Sequence, residues 1–139
     1  MWYIYIFTFR SAKDIKNNMP HKHQLGKDGE SLAMKYLQSQ GYSILDINWR
    51  FKRAEIDIIA EEDGILIFVE VKTRSSTQFG TPDAFVSLQK EALMLDAAGS
   101  YMFEKGYDGE IRFDVISVLL IPGKGPEIHH IKDAFFPFE

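Results

Sequence analysis

The chain has 139 residues, 45% hydrophobic and 26% charged, which fits one globular domain with a core of its own. It has no cysteine, which excludes disulfides, zinc–thiolate centres and thiol catalysis and fits a reducing, cytoplasmic setting. The net charge of −4 argues against a strong nucleic-acid binder, and no segment is long enough to span a membrane.

The acidity is uneven. Residues 1–90 carry 12 basic and 11 acidic side chains, residues 91–139 only 4 and 9. The apolar opening Trp2–Phe9 is short for a membrane anchor and lacks a small-residue cleavage site after it. It reads as a loose extension or a product of start-site choice, Met19 offering a second start, with an added strand as the alternative.

Leu25 to Gln40 has apolar residues at helical spacing and is stopped by Gly41. Tyr42–Phe51, Glu55–Ala60 and Ile65–Thr73 read as strands. Glu62-Asp63-Gly64 marks a hairpin between the last two, with Asp-Gly at its tip. Thr81-Pro82 offers an N-cap and a first-turn proline for a second helix, running to Lys105 and ending at Gly106. Ile111–Ile121 follows as a strand, Pro122–Pro126 as a loop, and Ile128–Ile131 as a short edge strand. The order αβββαβ predicts an α/β fold with a mixed central sheet flanked by helices.

The stretch from Ile65 to Thr73 is almost continuously apolar, as in a strand buried on both faces. Glu70 and Lys72 interrupt it, and charges are rarely buried without partners. A two-residue turn at Asp63-Gly64 pairs Glu62 with Ile65, placing Asp57 opposite Glu70 and Glu55 opposite Lys72. Glu55, Asp57, Glu70 and Lys72 then share one face, and Ile56, Ile58, Ile67, Val69 and Val71 line the other as core. Facing carboxylates repel, so Asp57 and Glu70 need a proton, a cation or a metal. Hard oxygen ligands with an open side suit Mg²⁺ or Mn²⁺. Lys72 is placed to orient a water and stabilise charge on a phosphate. Glu30 is a candidate fourth member, because it shares the helix face of Ala33 and Leu37. The competing readings are a solvated sheet face with cross-strand ion pairs and, for Glu30, an acid favoured by the helix dipole.

Asp57, twelve residues, then Glu70-Val71-Lys72 is the pattern of PD-(D/E)xK nucleases. The chain more closely resembles the small bacterial YraN-like proteins, related to archaeal Holliday-junction resolvases. The resemblance rests on Gly26-Lys27-Asp28-Gly29-Glu30, Gly41-Tyr42, Asn48-Trp49-Arg50, Glu55-Ile56-Asp57, Phe68 to Arg74, Phe79-Gly80 and Arg112-Phe113-Asp114. One departure is Ala54, where the family usually has Gly. The resemblance implies a restriction-endonuclease-like core, with residues 19–139 as a single nuclease-like domain after an extension of 1–18. It also implies Asp57 and Glu70 as metal ligands, Glu30 and the Val71 carbonyl as further ones, and Lys72 as the catalytic lysine.

Arg50, Lys52 and Arg53 form a basic tip between the first two strands, and Arg74 and Lys90 flank the loop after the third. All five are candidate phosphate contacts, against a bland reading as surface charge. By resemblance, Gln89-Lys90 stands out among them. Glu55 reads as an ion-pair partner for Lys72 or a neighbouring arginine. His21, His23, His129 and His130 lack a metal-ligand context and read as solvated. The expected function is a Mg²⁺- or Mn²⁺-dependent endonuclease acting on nucleic acid, DNA first, with a homodimer needed for any symmetric junction cleavage. The alternatives are a non-catalytic nucleic-acid-binding module, and an interaction domain using the opening segment or the tail Phe135-Phe136-Pro137-Phe138.

Overall fold

The structure is a computed structural model, which describes the backbone of residues 2–6 together with residues 22–75 and 86–135. The elements are β1 (Trp2–Ile6), α1 (Lys22–Ser39), β2 (Ser43–Phe51), β3 (Ala54–Glu62), β4 (Ile65–Arg74), α2 (Leu88–Lys105), β5 (Ile111–Leu119) and β6 (Glu127–Ile131). The expected αβββαβ core is formed, from α1 to β5. The strands make one mixed sheet in the order β1-β6-β5-β4-β3-β2, in which β4 and β5 are parallel and the other neighbours antiparallel. The parallel pair follows from the chain between β4 and β5, which is long enough to cross over through α2. For the opening segment, Trp2–Ile6 pairs antiparallel with β6; Met19 lies outside the described residues.

The β3–β4 hairpin turns as expected. Asp63 and Gly64 both have positive φ, 51° and 78°, the two left-handed positions that let a two-residue turn follow the strand twist. Glu62 pairs with Ile65 and Ile58 with Val69.

Each face of the sheet carries one helix. Ala33, Tyr36 and Leu37 of α1 pack on Ile58, Ile67, Val69, Ile116 and Val118. On the other face, Met94, Ala97, Ala98 and Tyr101 of α2 cover Ile56, Ile59, Phe68 and Phe113. Residues Leu66 to Glu70 are all buried, so β4 is the sheet's two-sided centre, and each large apolar side chain fully buried there contributes about 1.5–3 kcal/mol.

Two sequence expectations are corrected. Ile56 does not share a face with Ile58: Ile56 packs under α2 and Ile58 under α1. The strand turns over at Asp57, and its neighbour on β2, Asn48, has φ of 50°. Asn tolerates that left-handed conformation, which bends a strand out of regular alternation. The second helix also starts later than Thr81-Pro82, which lies outside the described residues. Val86 and Ser87 are non-helical, and Ser87 is the N-cap, its hydroxyl accepting the Lys90 N–H at 3.1 Å. The end at Gly106 is as expected, with a left-handed φ of 64°.

His129 and His130, expected to be solvated, are buried at 4% and 0% exposure. His130 stands between α1 and β5, with Tyr36 Oη 3.0 Å from Nδ1 and Asp114 Oδ2 2.7 Å from Nε2. Arg112 donates to both oxygens of Asp114, at 2.8 and 2.9 Å, and to Tyr42 Oη at 2.9 Å. Burial pushes the Asp114 carboxyl up. The hydrogen bonds from His130 and Arg112, the His130 charge and the Asp133 N–H outweigh it and hold the carboxyl below its ordinary range. Arg112 and Asp114 thus build a polar clasp with Tyr42, His130 and Tyr36 on the α1 face, where satisfied partners offset desolvation. His21 lies outside the described residues.

Candidate active site

Regular pairing of β3 with β4 ends at Ile58 and Val69. Beyond it, Asp57 replaces a ladder bond with its side chain: Oδ2 accepts the Val71 N–H at 2.8 Å. The expectations that the pairing continues to set Asp57 opposite Glu70 and Glu55 opposite Lys72 are therefore not met in the ladder. Glu55 pairs across β2 with Arg50, at 3.5 Å. Here lies a cleft of about 720 Å³ whose lining includes Asp57, Glu70, Glu30, Arg53 and Lys90. An adjoining hollow of about 520 Å³ shares Glu30, Asp57, Glu70 and Lys90 and adds Val71 and Arg74.

Glu30 reaches this place because α1 lies very close to β4. A Cβ on Gly29 would come within 2.8 Å of Thr73 Cβ and Cγ2, so glycine is required for the helix to approach that strand. Glu70 is 4% exposed and forms an ion pair with Lys90, carried on the first turn of α2. The remaining members sort plainly. Arg50 and Arg53 line the larger cleft, and Arg74 lines the adjoining hollow while donating to the Thr73 carbonyl at 3.3 Å. Lys52 turns its ammonium over the ring of Phe51. Lys72 is half-buried on β4, beside Ser117 of β5, and is not among the residues lining either cavity. Gln89 lines the cleft beside Lys90, and Lys27 and Asn48 line it without having been singled out for a role. The signal of these two was their place within the fragments that carry the family resemblance.

The electrostatics follow from this geometry. Burial, then the Glu70 charge, push the Asp57 carboxyl up to about 8, with Glu30 adding to the rise. The Val71 N–H and the Lys90 charge oppose it. Burial pulls the Lys90 ammonium down, but its hydrogen bond and charge interaction with Glu70, together with Asp57 and Glu55, outweigh that and raise it. The carboxylates are thus more negative than their surroundings accommodate, the condition that a divalent cation relieves. Among the described residues no group of three or more His, Asp or Glu side chains is placed to hold a metal ion. The donor set is a carboxylate pair of hard oxygens with Glu30 nearby, which fits Mg²⁺ or Mn²⁺, ions that keep open positions for water or phosphate.

Residues 29–118 match the model of the uncharacterised protein family UPF0102. The chain belongs to the UPF0102 family. A UPF0102 protein of Flavobacterium psychrophilum is 48% identical over 120 residues, covering 86% of this chain and all of that protein. One from Christiangramia forsetii is 43% identical with the same coverages, and one from Bacteroides thetaiotaomicron is 43% identical over 86% of this chain and 98% of its own length. The UPF0102 match spans α1 from Gly29 through β5 to Val118, and so includes Glu30, Asp57, Glu70, Lys72 and Lys90. No helix among the described residues of this UPF0102 chain is long and apolar enough to cross a membrane.

Proposed function

We propose that the chain is a divalent-metal-dependent endonuclease of the PD-(D/E)xK type, hydrolysing phosphodiester bonds in nucleic acid, DNA foremost. The observation that carries the reading is the Asp57–Glu70 pair in the lining of an open cleft, with the Asp57 carboxyl pushed up to about 8 by burial and by Glu70. A carboxyl perturbed by burial and by a like charge in a cleft is a functional-site candidate. Asp57 and Glu70 would hold Mg²⁺ or Mn²⁺, with Glu30 and the Val71 carbonyl as further oxygen donors. When bound, the ion polarises a phosphate oxygen and acidifies a water.

The chain's own residues supply the rest. The Val71 N–H fixes one oxygen of the Asp57 carboxylate. Arg53 and Arg50 offer cations in the cleft lining that position a backbone without reading bases. Lys72 keeps its proposed part of stabilising charge on the attacked phosphate. A second reading, a non-catalytic nucleic-acid-binding module of the same fold, is favoured by the place of Lys72 off the cleft lining. Cleavage assays over linear and branched DNA and RNA with Mg²⁺ or Mn²⁺ decide between them. The nuclease reading expects metal-dependent cleavage by wild type that is abolished by Asp57→Asn, Glu70→Gln and Lys72→Ala. Binding without cleavage of any substrate supports the module, and wild-type cleavage by Lys72→Ala removes the lysine's assigned role.

A further inference from the structure

Glu70 is almost wholly buried, and the cation on it comes from a different element, the first turn of α2. Lys90 Nζ bonds Glu70 Oε1, and Lys90 lines both the cleft and the adjoining hollow. An ammonium on that oxygen and a divalent ion ligated by the same carboxylate are two cations crowded onto one group. They also repel each other at contact distance. Of the two, Lys90 is the one free to move. Its side chain is 48% exposed, so its head has solvent to enter. Its backbone N–H is pinned on Ser87 Oγ at 3.1 Å, so the four-carbon stem swings from a fixed root. Glu70, in contrast, is set in the central strand between β3 and β5.

We infer that Lys90 is a displaceable counter-ion of the carboxylate site: it holds Glu70 while no divalent ion is bound and is expelled into the cleft when an ion takes that carboxylate. The inference rests on the metal-site reading above. It assigns Lys90 a task distinct from ordinary phosphate contact, that of keeping an empty acidic cleft electrically balanced and making the ion compete for entry.

The test is acylation of lysines in the full chain with acetic anhydride, read by mass spectrometry, for wild type and Glu70→Gln, each in EDTA and in saturating Mg²⁺. In EDTA, wild-type Lys90 should be labelled about two- to five-fold more slowly than in Glu70→Gln, the range set by a half-exposed ion pair. Mg²⁺ should bring wild-type labelling up to the Glu70→Gln rate and leave Glu70→Gln unchanged. Equal labelling of the two proteins in EDTA would mean that the contact is not held in solution, and overturns the inference. Denaturant melts of wild type in the same buffers separate the remaining outcomes. If Mg²⁺ stabilises the fold but Lys90 labelling stays slow, displacement is wrong while the metal site stands. If Mg²⁺ changes neither, the inference and the metal site fall together.

Discussion

The Asp57 carboxylate accepts the Val71 N–H at 2.8 Å, at the position where β3 and β4 cease to pair backbone to backbone. One oxygen of Asp57 thus completes the strand, and Asp57 lines the cleft. The bond is short and fixes the carboxylate while burial and Glu70 disfavour its charge. This tension has a thermodynamic consequence. A carboxyl that ionises near 3.8 in the unfolded chain and near 8 when folded lends stability that is whole below pH 4. That stability is lost as pH rises through the folded value. Asp57→Asn removes the ionisation and keeps an oxygen for the Val71 N–H. In EDTA its stability relative to wild type should therefore grow between about pH 4 and 8, by about 1.4 kcal/mol for each unit by which the fold raises the Asp57 carboxyl, several kcal/mol in all. Urea melts across that range check it; a difference that does not vary with pH contradicts it.

Asp114 has the opposite sign. Its folded carboxyl is held below the ordinary carboxylate range by His130 and Arg112 despite its burial. The stability it lends is present above pH 4 and lost as pH falls through the folded value. Asp114→Asn should cost about 2–4 kcal/mol at pH 7, because it removes the nearer of the two carboxylates on Arg112 and leaves Glu62 at 3.7 Å. The gap should narrow below pH 4. A gap that stays constant down to pH 2 would show that Asp114 is not ionised in the fold.

Gly29→Ala tests how α1 delivers Glu30. The new methyl meets Thr73 Cβ and Cγ2 at 2.8 Å, well inside van der Waals contact, so the helix or the strand must shift. The expected cost is about 1–3 kcal/mol. Thr73→Ala should relieve part of it, giving a non-additive double-mutant cycle. Strictly additive costs would place the two residues apart.

The hairpin, the central strand and the αβββαβ order were legible in the sequence because each has a local cause. Asp63-Gly64 supplies two left-handed positions, and the apolar run around Glu70 leaves that carboxylate needing a partner. What was not legible depends on residues far apart or on one bent backbone unit. Ile56 changes face where β3 turns over at Asp57, beside Asn48 with its positive φ, which no alternation pattern announces. His130 is buried because Tyr36, 94 residues away, and Asp114 surround it. Lys90 meets Glu70 because Ser87 starts α2 one turn before it. Thr81-Pro82, an equally good helix start on paper, gave no hint of that phase.

Arg53 lines the cleft from the β2–β3 turn. Arg53→Glu should weaken nucleic-acid binding about equally for all sequences and flatten its salt dependence, as for a phosphate contact. Fluorescence anisotropy at several salt concentrations measures both. A sequence-dependent loss would mean base readout.

The central claim, that Asp57 and Glu70 together hold a divalent ion, is tested most directly by calorimetric titration with Mn²⁺ of wild type, Asp57→Asn and Glu70→Gln at matched ionic strength. The account predicts saturable binding to wild type, with affinity falling at least about ten-fold, or 1.4 kcal/mol, in each variant. Equal Mn²⁺ binding by all three proteins would contradict it.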